Sequence, residues 1–299
     1  MPVEKVEFSS DGYRLAGELH LPQPGAQRGA VVLTGPFAGV KEQVTGFHAA
    51  RFAQRGYLAL AFDHRNWGES EGTPRQHEDP TAKVSDLRNA VSFLAGRAEV
   101  DPERITVAGV CLGGIYALQH SAFDPRVKAV ALIAAAYNNP ELIRGRFGVE
   151  GFGALMAEFA RISQRQFETG EVEYWPAINP EGMPAGNPGP EPFEYYGTAR
   201  GARPNWENRC TALSVLQELA LDVNAAVPLV SPTPLLIVHG RGDQAIPLAD
   251  AENVFAAAGE PKELLVLDTT NHIELYDDDT HVLPAIDRAV SFFDKALDA

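Results

Sequence analysis

Three residues in the sequence have the side-chain types that nucleophilic acyl transfer requires: Cys111, Asp243 and His272. Cys111 lies at the centre of the segment GVCLG (109–113), between an apolar, β-branched run and the start of a helical pattern. A strand, a tight turn and a helix in this order hold the side chain at the turn in a strained position, and the glycines avoid clashes at the bend. The positive end of the helix dipole also favours a thiolate. The pattern predicts a cysteine nucleophile at position 111.

The partners of Cys111 are predicted in the loops that follow two apolar strands. Asp243 follows the run LLIVHG (235–240), and His272 follows the run KELLVLD (262–268). Parallel strands bring such loops to the sheet edge where ligands bind. We expect His272 to take the proton from Cys111 or to form an ion pair with its thiolate, and Asp243 to orient the imidazole ring. A lone cysteine, aspartate or histidine is more often structural, so the prediction rests on the three together and on their order along the chain.

Two backbone N–H groups are candidates for holding the oxyanion that acyl transfer creates. The N–H of Leu112 is one of them by its position directly after the nucleophile. The second is expected from the segment TGPFAGVKEQ (34–43), after the third strand. Pro36 has no N–H. Phe37 is therefore the better candidate, with Ala38 as the alternative.

A substrate pocket is expected next to these groups. Its candidate wall residues are Ala38, His64, Tyr137 and Trp175. His64 is included because its loop leaves the same edge of the sheet. His281 is a rival for the catalytic base, but it sits beside three aspartates at an expected helix start. Capping and charge balance explain His281 better.

Alternating strand and helix patterns position these residues. Continuous apolar runs predict buried strands, and amphipathic stretches between them predict helices. The predicted strands are residues 4–8, 13–21, 29–35, 57–63, 104–110, 127–135, 234–240 and 262–268. The predicted helices are residues 42–55, 81–95, 112–121, 248–258 and 281–297. This order predicts an α/β fold, with a mostly parallel sheet and helices on both faces.

The predicted core comprises residues 1–137 and 232–299, and residues 138–231 are predicted to form an inserted cap or lid. This inserted segment has helical patterns at 153–167 and 210–223, separated by a stretch rich in proline, glycine and aromatic residues (173–197). A structureless loop of this length is uncommon inside a compact domain. The aromatic residues favour a packed segment over a disordered linker, and they are candidates for an apolar pocket wall.

Composition excludes several classes of partner. The net charge is −15 and no basic cluster stands out, so nucleic acid and an anionic membrane surface are poor partners. There is no apolar run long enough to span a membrane and no apolar signal-peptide core, so a cytoplasmic location is expected. The two cysteines form neither a disulfide framework nor a metal set. No cofactor or metal is expected. A homodimer is a candidate oligomeric state.

Several segments together resemble the α/β-hydrolase superfamily along nearly the whole chain. They are GPFAGVKEQ (35–43), FDHRNWGESEGTPR (62–75), GVCLGG (109–114), DPRVKAVA (124–131), HGRGD (239–243) and NHIELYD (271–277). They are similar to a subgroup that includes dienelactone-hydrolase-like proteins and polyketide-associated hydrolases or acyltransferases, several of which carry cysteine as the nucleophile. The resemblance implies a Cys–His–Asp triad at Cys111, His272 and Asp243.

The sequence departs from dienelactone hydrolase in two ways. The glutamate that this enzyme holds beside its cysteine is replaced here by the segment GPF (35–37), and the enzyme lacks a large cap. The later part of the inserted segment, NWENRCTALSVLQEL (205–219), is closer to the polyketide-associated transferases.

Four functions are therefore compared. The first is hydrolysis of an ester, lactone or thioester of a small to medium apolar substrate, through an acyl-thioenzyme; the partner is a small-molecule acyl substrate or a carrier-bound thioester. The second is an acyltransferase of a polyketide or other natural-product pathway that uses the same covalent route. A non-catalytic ligand-binding protein and a lyase or cyclase are the remaining alternatives.

Overall fold

The computed structural model describes residues 1–299. Its main sheet has eight strands, in the order β1-β2-β4-β3-β5-β6-β11-β12. With all strands numbered along the chain, these are β1 (Val3–Ser10), β2 (Tyr13–His20), β3 (Gly29–Thr34), β4 (Tyr57–Phe62), β5 (Ile105–Val110), β6 (Val127–Ile133), β11 (Leu235–Gly240) and β12 (Lys262–Leu267). β1 pairs with β2 and β2 with β4 in antiparallel fashion, and all other neighbours are parallel. The predicted mostly parallel α/β sheet is confirmed.

The central strands are buried along their whole length because helices cover the sheet. Every residue of β3, β4, β5 and β11 is buried. This is why these strands read as unbroken apolar runs instead of alternating patterns. The covering helices are α1 (Val44–Gln54), α2 (Pro80–Ala95), α3 (Leu112–Ser121), α7 (Leu248–Ala257), α8 (Glu274–Asp277) and α9 (Asp279–Leu297). α1 packs against α8 and α9, and α2 packs against α3.

The inserted segment lies between β6 and β11, which are neighbours in the sheet. Its elements are α4 (Pro140–Thr169), β7 (Tyr174–Trp175), β8 (Ile178–Asn179), β9 (Asn187–Pro188), α5 (Pro190–Tyr196), β10 (Cys210–Thr211) and α6 (Ala212–Leu219), followed by the short 3-10 turns Val223–Ala225 and Val227–Leu229. β7 pairs with β10, and β8 pairs with β9. The proline-rich stretch is therefore folded and carries short strands and a helix.

Two helices of the inserted segment differ from the sequence prediction. α4 begins 13 residues before the predicted start at 153, because Asn139 caps the helix with its side chain and Pro140 occupies the first turn. Gly148, with φ 71°, interrupts α4. The second predicted helix (210–223) is shorter, because Cys210 and Thr211 pair as a strand and only Ala212–Leu219 is α-helical.

No single helix has both the length and the apolar character needed to cross a membrane. The bent pair Ala212–Leu219 and Val223–Leu229 meets those two requirements only when its parts are taken together.

Candidate active site

Cys111 lies at the turn between β5 and α3, with φ 53° and ψ −126°. Its backbone N–H donates to the carbonyl of Ile133 at 3.2 Å, and its carbonyl accepts from Ala136 at 2.8 Å and from Gly114 at 2.9 Å. A positive φ is unfavourable for a residue with a Cβ. Hydrogen bonds to the end of β6 and its following loop hold the backbone in this conformation, as predicted for a strained turn.

The glycines around Cys111 permit close backbone contacts. A Cβ on Gly113 would lie 2.4 Å from the carbonyl oxygen of Thr34, at the end of β3. A Cβ on Gly109 would lie 2.4 Å from the carbonyl oxygen of Gly113. Both contacts are with backbone atoms, which cannot move aside as a flexible side chain could. The start of α3 can therefore approach β3 only with glycine at these positions.

Asp243 and His272 come from the loops after β11 and β12, and their side chains are hydrogen-bonded. His272 Nδ1 lies 2.6 Å from Asp243 Oδ2. The other Asp243 oxygen accepts the backbone N–H of Ile246 at 2.8 Å, which fixes the carboxylate. The Nε2 atom of His272 is buried and has no hydrogen-bond partner within the protein. His272 lines the same cavity as Cys111. The tertiary structure thus brings together the three residues that the sequence separates by 132 and 29 positions.

The surroundings of His272 favour its protonated form. Burial lowers the pKa of the imidazole, but the negative charge of the Cys111 thiolate and the hydrogen bond to Asp243 outweigh burial and raise it to about 10. His272 is therefore an imidazolium at neutral pH when Cys111 is a thiolate. This arrangement can supply a nucleophile and then a proton to the leaving group.

The cavity in front of Cys111 has a volume of about 160 Å³. Part of its wall is apolar and includes Phe37, Leu112, Ile246 and Ile273. The remaining wall carries polar side chains, and the inserted segment contributes most of them: Asn138, Arg146, Asn187, Glu191 and Glu218. The inserted segment therefore forms one side of the cavity that contains Cys111.

Both residues that are predicted to supply the oxyanion donors line this cavity. Leu112 is the first residue of α3, where a backbone N–H has no acceptor within the helix. Phe37 lines the cavity beside Leu112, and its N–H makes no hydrogen bond within the protein. Ala38 has φ 58° and its carbonyl accepts the indole N–H of Trp206 at 2.9 Å, but it does not line the cavity. The geometry favours Phe37 over Ala38 as the second donor.

The four residues named as candidate pocket walls do not line the cavity. His64 Nε2 is hydrogen-bonded to the Thr34 hydroxyl group at 3.0 Å, and His64 Nδ1 lies 3.5 Å from Asp86 Oδ2. Tyr137 does not line the cavity although residues 136 and 138 do, and its ring packs against His239. Trp175 is buried against Phe159 within the inserted segment. Ala38 is turned toward Trp206, as described above. Side-chain direction within a loop or short strand decides these positions, and the sequence pattern does not encode it.

Sequence reasoning did not identify two further residues at the site. Tyr276 lies four positions after His272, and its ring packs edge-on against the imidazole at 5.2 Å between centroids. It also lines the cavity, so a candidate residue lay within the NHIELYD segment. Glu191, at the start of α5, accepts the backbone N–H of His272 and that of Ile273. No local signal pointed to Glu191, because its partners lie about 80 residues away.

His281 lies in the first turn of α9, 3.5 Å from Glu274, and does not line the cavity.

Away from the cavity, three residues of types that can bind a metal ion lie close together: Glu42, Asp63 and Glu69. Their carboxylate oxygens converge on the ammonium nitrogen of Lys41, at 2.6, 3.0 and 2.6 Å. The cation that this group binds is therefore a lysine side chain of the same chain.

Comparisons with known proteins agree with this architecture. A sequence profile of the alpha/beta hydrolase family matches residues 32–290. The chain is 33% identical to the uncharacterized protein PA2218 of Pseudomonas aeruginosa, over 98% of this chain and 80% of PA2218. The crystal structure of PA2218 superposes with a TM-score of 0.87, over 99% of this chain and 94% of that one.

Two fungal relatives carry functional names. The chain is 30% identical to thiohydrolase aneE of Aspergillus aculeatus, over 90% of this chain and 86% of aneE. It is also 30% identical to polyketide transferase grgF of a Penicillium species, over 92% of this chain and 90% of grgF. The crystal structure of GrgF superposes with a TM-score of 0.81 at 26% identity, over the full length of both chains.

Proposed function

Since the chain belongs to the alpha/beta hydrolase family and is an enzyme of the hydrolase or acyltransferase type, we propose that it hydrolyses thioesters through an acyl-thioenzyme on Cys111. The observation that carries this proposal is the arrangement of Cys111 at a strained turn, in one cavity with a His272 that is hydrogen-bonded to Asp243 at 2.6 Å. A residue that only filled core space would need neither the strained backbone nor the buried imidazole.

The proposed reaction has two steps. The Cys111 thiolate attacks the carbonyl carbon, and the oxyanion accepts hydrogen bonds from the N–H groups of Leu112 and Phe37. As the tetrahedral intermediate collapses, the carbon–sulfur bond to the leaving thiol breaks and the His272 imidazolium gives that thiolate its proton. In the second step His272 takes a proton from water, and the resulting hydroxide attacks the acyl-thioenzyme. The acid is released and the Cys111 thiolate with protonated His272 is restored.

A thioester is favoured over an oxygen ester or lactone by leaving-group chemistry. Exchange of one thiolate for another at a carbonyl is nearly balanced, whereas an alkoxide is a much poorer leaving group than the attacking thiolate. The name of the relative aneE, a thiohydrolase, supports the same choice. The thiol half of the substrate is a small molecule or the arm of a carrier.

Transfer of the acyl group to an acceptor other than water is the second candidate function. It is favoured by the relative grgF, a polyketide transferase, and by the inserted segment, which we propose acts as a cap that limits access of water. The covalent step is the same in both functions. The acceptor that reaches the acyl carbon decides between them.

The test uses the hexanoyl thioester of N-acetylcysteamine with the wild-type protein and the variants C111A and C210A. We expect wild-type and C210A to release the thiol, with a hexanoyl group on Cys111 detected by mass spectrometry, and C111A to be at least 1,000-fold slower. Added alcohols, amines or thiols would intercept the acyl group if the enzyme is a transferase. Unchanged turnover in C111A, or acylation of a different residue, would overturn the covalent route.

We also propose a cytoplasmic location, because both cysteines are free thiols and a thiolate nucleophile must remain reduced. Cell fractionation with an antibody to the protein tests this location.

A further inference from the structure

Glu218 is a polar group of the reaction cavity that the proposed mechanism does not use. It lies near the end of α6, in the inserted segment, and lines the cavity that contains Cys111 and His272. Its carboxyl group forms no ion pair. Arg146, the one arginine in the cavity wall, is bound to Asp250 at 2.6 Å. Glu218 therefore presents to the cavity a carboxyl group that has no ion-pair partner.

Two amides accompany Glu218 on this wall. Asn138 follows β6 and donates to the backbone carbonyl of Glu218 at 3.2 Å, which ties the two residues together. The side chain of Asn187 makes no hydrogen bond within the protein. A cavity built for an unsubstituted alkyl chain would leave such groups without partners when the chain displaced water, and each unpartnered group costs about 1–3 kcal/mol. The wall is therefore matched to a substrate that carries oxygen.

The carboxyl group of Glu218 is held in its neutral form. Burial raises the pKa of Glu218 to about 8, the nearby Glu78 adds to the rise, and Asn138 and the ammonium of Lys83 oppose it. The charge of Lys83 is mostly satisfied by Glu78, at 2.7 Å. A neutral carboxyl group can donate a hydrogen bond, as a carboxylate cannot.

We propose that Glu218 donates a hydrogen bond to an oxygen atom of the acyl group, so that the preferred substrates are hydroxyacyl or oxoacyl thioesters. This inference rests on the proposed function, because it names the substrate class of the same site. It replaces the expected apolar substrate with an acyl group that is apolar near Phe37 and Ile273 and oxygenated at the wall formed by Asn138, Asn187 and Glu218.

The test compares the hexanoyl thioester of N-acetylcysteamine with its 3-hydroxy, 3-oxo and 5-oxo derivatives. For the wild-type protein at pH 7 we expect at least one derivative to have a kcat/KM about tenfold higher than the unsubstituted thioester, the effect of one hydrogen bond. The ratio should fall as the pH rises through about 8, since the ionised Glu218 no longer donates.

The other groups that titrate at the site change kcat/KM alike for all four substrates. Their effects therefore cancel in the ratio of two kcat/KM values. The titratable and charged groups that face Glu218 or share its cavity are Glu78, Lys83, Tyr116, Cys210, Arg146, Glu191, Cys111, His272 and Tyr276.

Three variants separate a hydrogen-bond donor from a structural role. E218Q retains an N–H donor that does not ionise, so the preference should persist and become independent of pH. E218A should lose the preference at every pH. Q217A is the matched control on the exposed side of the same helix and should keep the wild-type ratio and its pH dependence.

A wild-type protein that prefers no oxygenated derivative, or an E218A that keeps the preference, would overturn the inference. Failure of the covalent proposal is detected separately, by turnover in C111A. If no thioester is turned over, the preference is measured as a ratio of dissociation constants. These are determined by calorimetry for the four corresponding primary amides with C111A and with C111A/E218A.

Discussion

The two cysteines of this protein are the same chemical group in two different surroundings. Cys210 is fully buried, and burial raises the pKa of its thiol to about 12, with Glu218 and Glu78 adding to the rise. Cys111 lies at the N-terminus of α3, in a cavity with His272. A buried apolar site disfavours the thiolate, whereas a helix N-terminus and an imidazolium stabilise it. We therefore expect position in the fold to make Cys111 reactive and Cys210 inert.

Iodoacetamide should alkylate Cys111 and spare Cys210. Because the pKa of His272 is raised, the imidazolium persists across the neutral range and continues to stabilise the thiolate below pH 7. We expect alkylation of Cys111 at pH 6 to be at least tenfold slower in H272Q than in the wild-type protein. Peptide mass spectrometry over a time course measures both sites, with Cys210 as the internal control. Equal rates at the two cysteines would contradict this assignment of reactivity.

At the scale of elements, the turn before α3 depends on backbone contacts that only glycine allows. Gly113 brings α3 against the end of β3, next to the loop that holds Phe37. The same approach places Leu112 and Phe37 in the wall of one cavity. Glycine at position 113 is therefore required both for the packing of α3 against β3 and for the geometry of the cavity.

The substitution G113A should cost several kcal/mol, because the added methyl group would meet the carbonyl of Thr34 at 2.4 Å. The matched control is G153A, an exposed glycine of α4 with no atom within 4 Å of an added Cβ. That substitution should stabilise the protein by about 0.5–1 kcal/mol, because alanine favours a helix and restricts the unfolded chain. Urea denaturation measures both. A G113A protein as stable as the wild-type would contradict the contact.

The inserted segment is joined to the core at the site itself. Glu191 of α5 accepts backbone N–H groups from the loop that carries His272, and Arg146 of α4 binds Asp250 of α7. Through the first contact, the inserted segment also orients the loop of the proposed base. This arrangement couples the position of the segment to the geometry of His272.

At the scale of the whole molecule, several buried histidines oppose folding in acid. Burial lowers the pKa values of His20, His48 and His120 to about 4. In the unfolded chain these groups titrate near 6.5. Their contribution to stability is therefore present above about pH 6.5 and is lost as the pH falls toward 4, because the unfolded chain binds more protons.

We expect the urea midpoint to fall steadily between pH 6.5 and pH 4. One pKa unit corresponds to about 1.4 kcal/mol, so three histidines contribute several kcal/mol to this loss. Asp63 and Glu218 have raised pKa values and release protons on unfolding, but the histidines outnumber them. Calorimetry in buffers of different ionisation enthalpy should therefore show net proton uptake on unfolding at pH 5. Unfolding at pH 5 without proton uptake would contradict the buried, neutral histidines.

Much of the fold was predictable from local pattern. Apolar runs located the central strands of the main sheet, since strands buried on both faces must be apolar throughout. The first two strands were predicted from the turn residues 9–12 between them. α3 has the predicted bounds, Leu112–Ser121. The inserted segment was predicted less well: glycines near residues 145–153 hid the first half of α4, and the pairing of Cys210–Thr211 with a strand 35 residues earlier left no local signal.

Sequence patterns alone predicted the order of strands and helices, the cysteine at the turn, and the loops that carry Asp243 and His272. These features depend on residues that are neighbours along the chain. Which side chains share a cavity depends on tertiary packing. His64, Tyr137 and Trp175 lie outside the cavity wall, whereas Tyr276, Glu191 and Glu218 belong to it. The direction of a side chain in a loop or in the inserted segment is set by packing against residues distant in sequence.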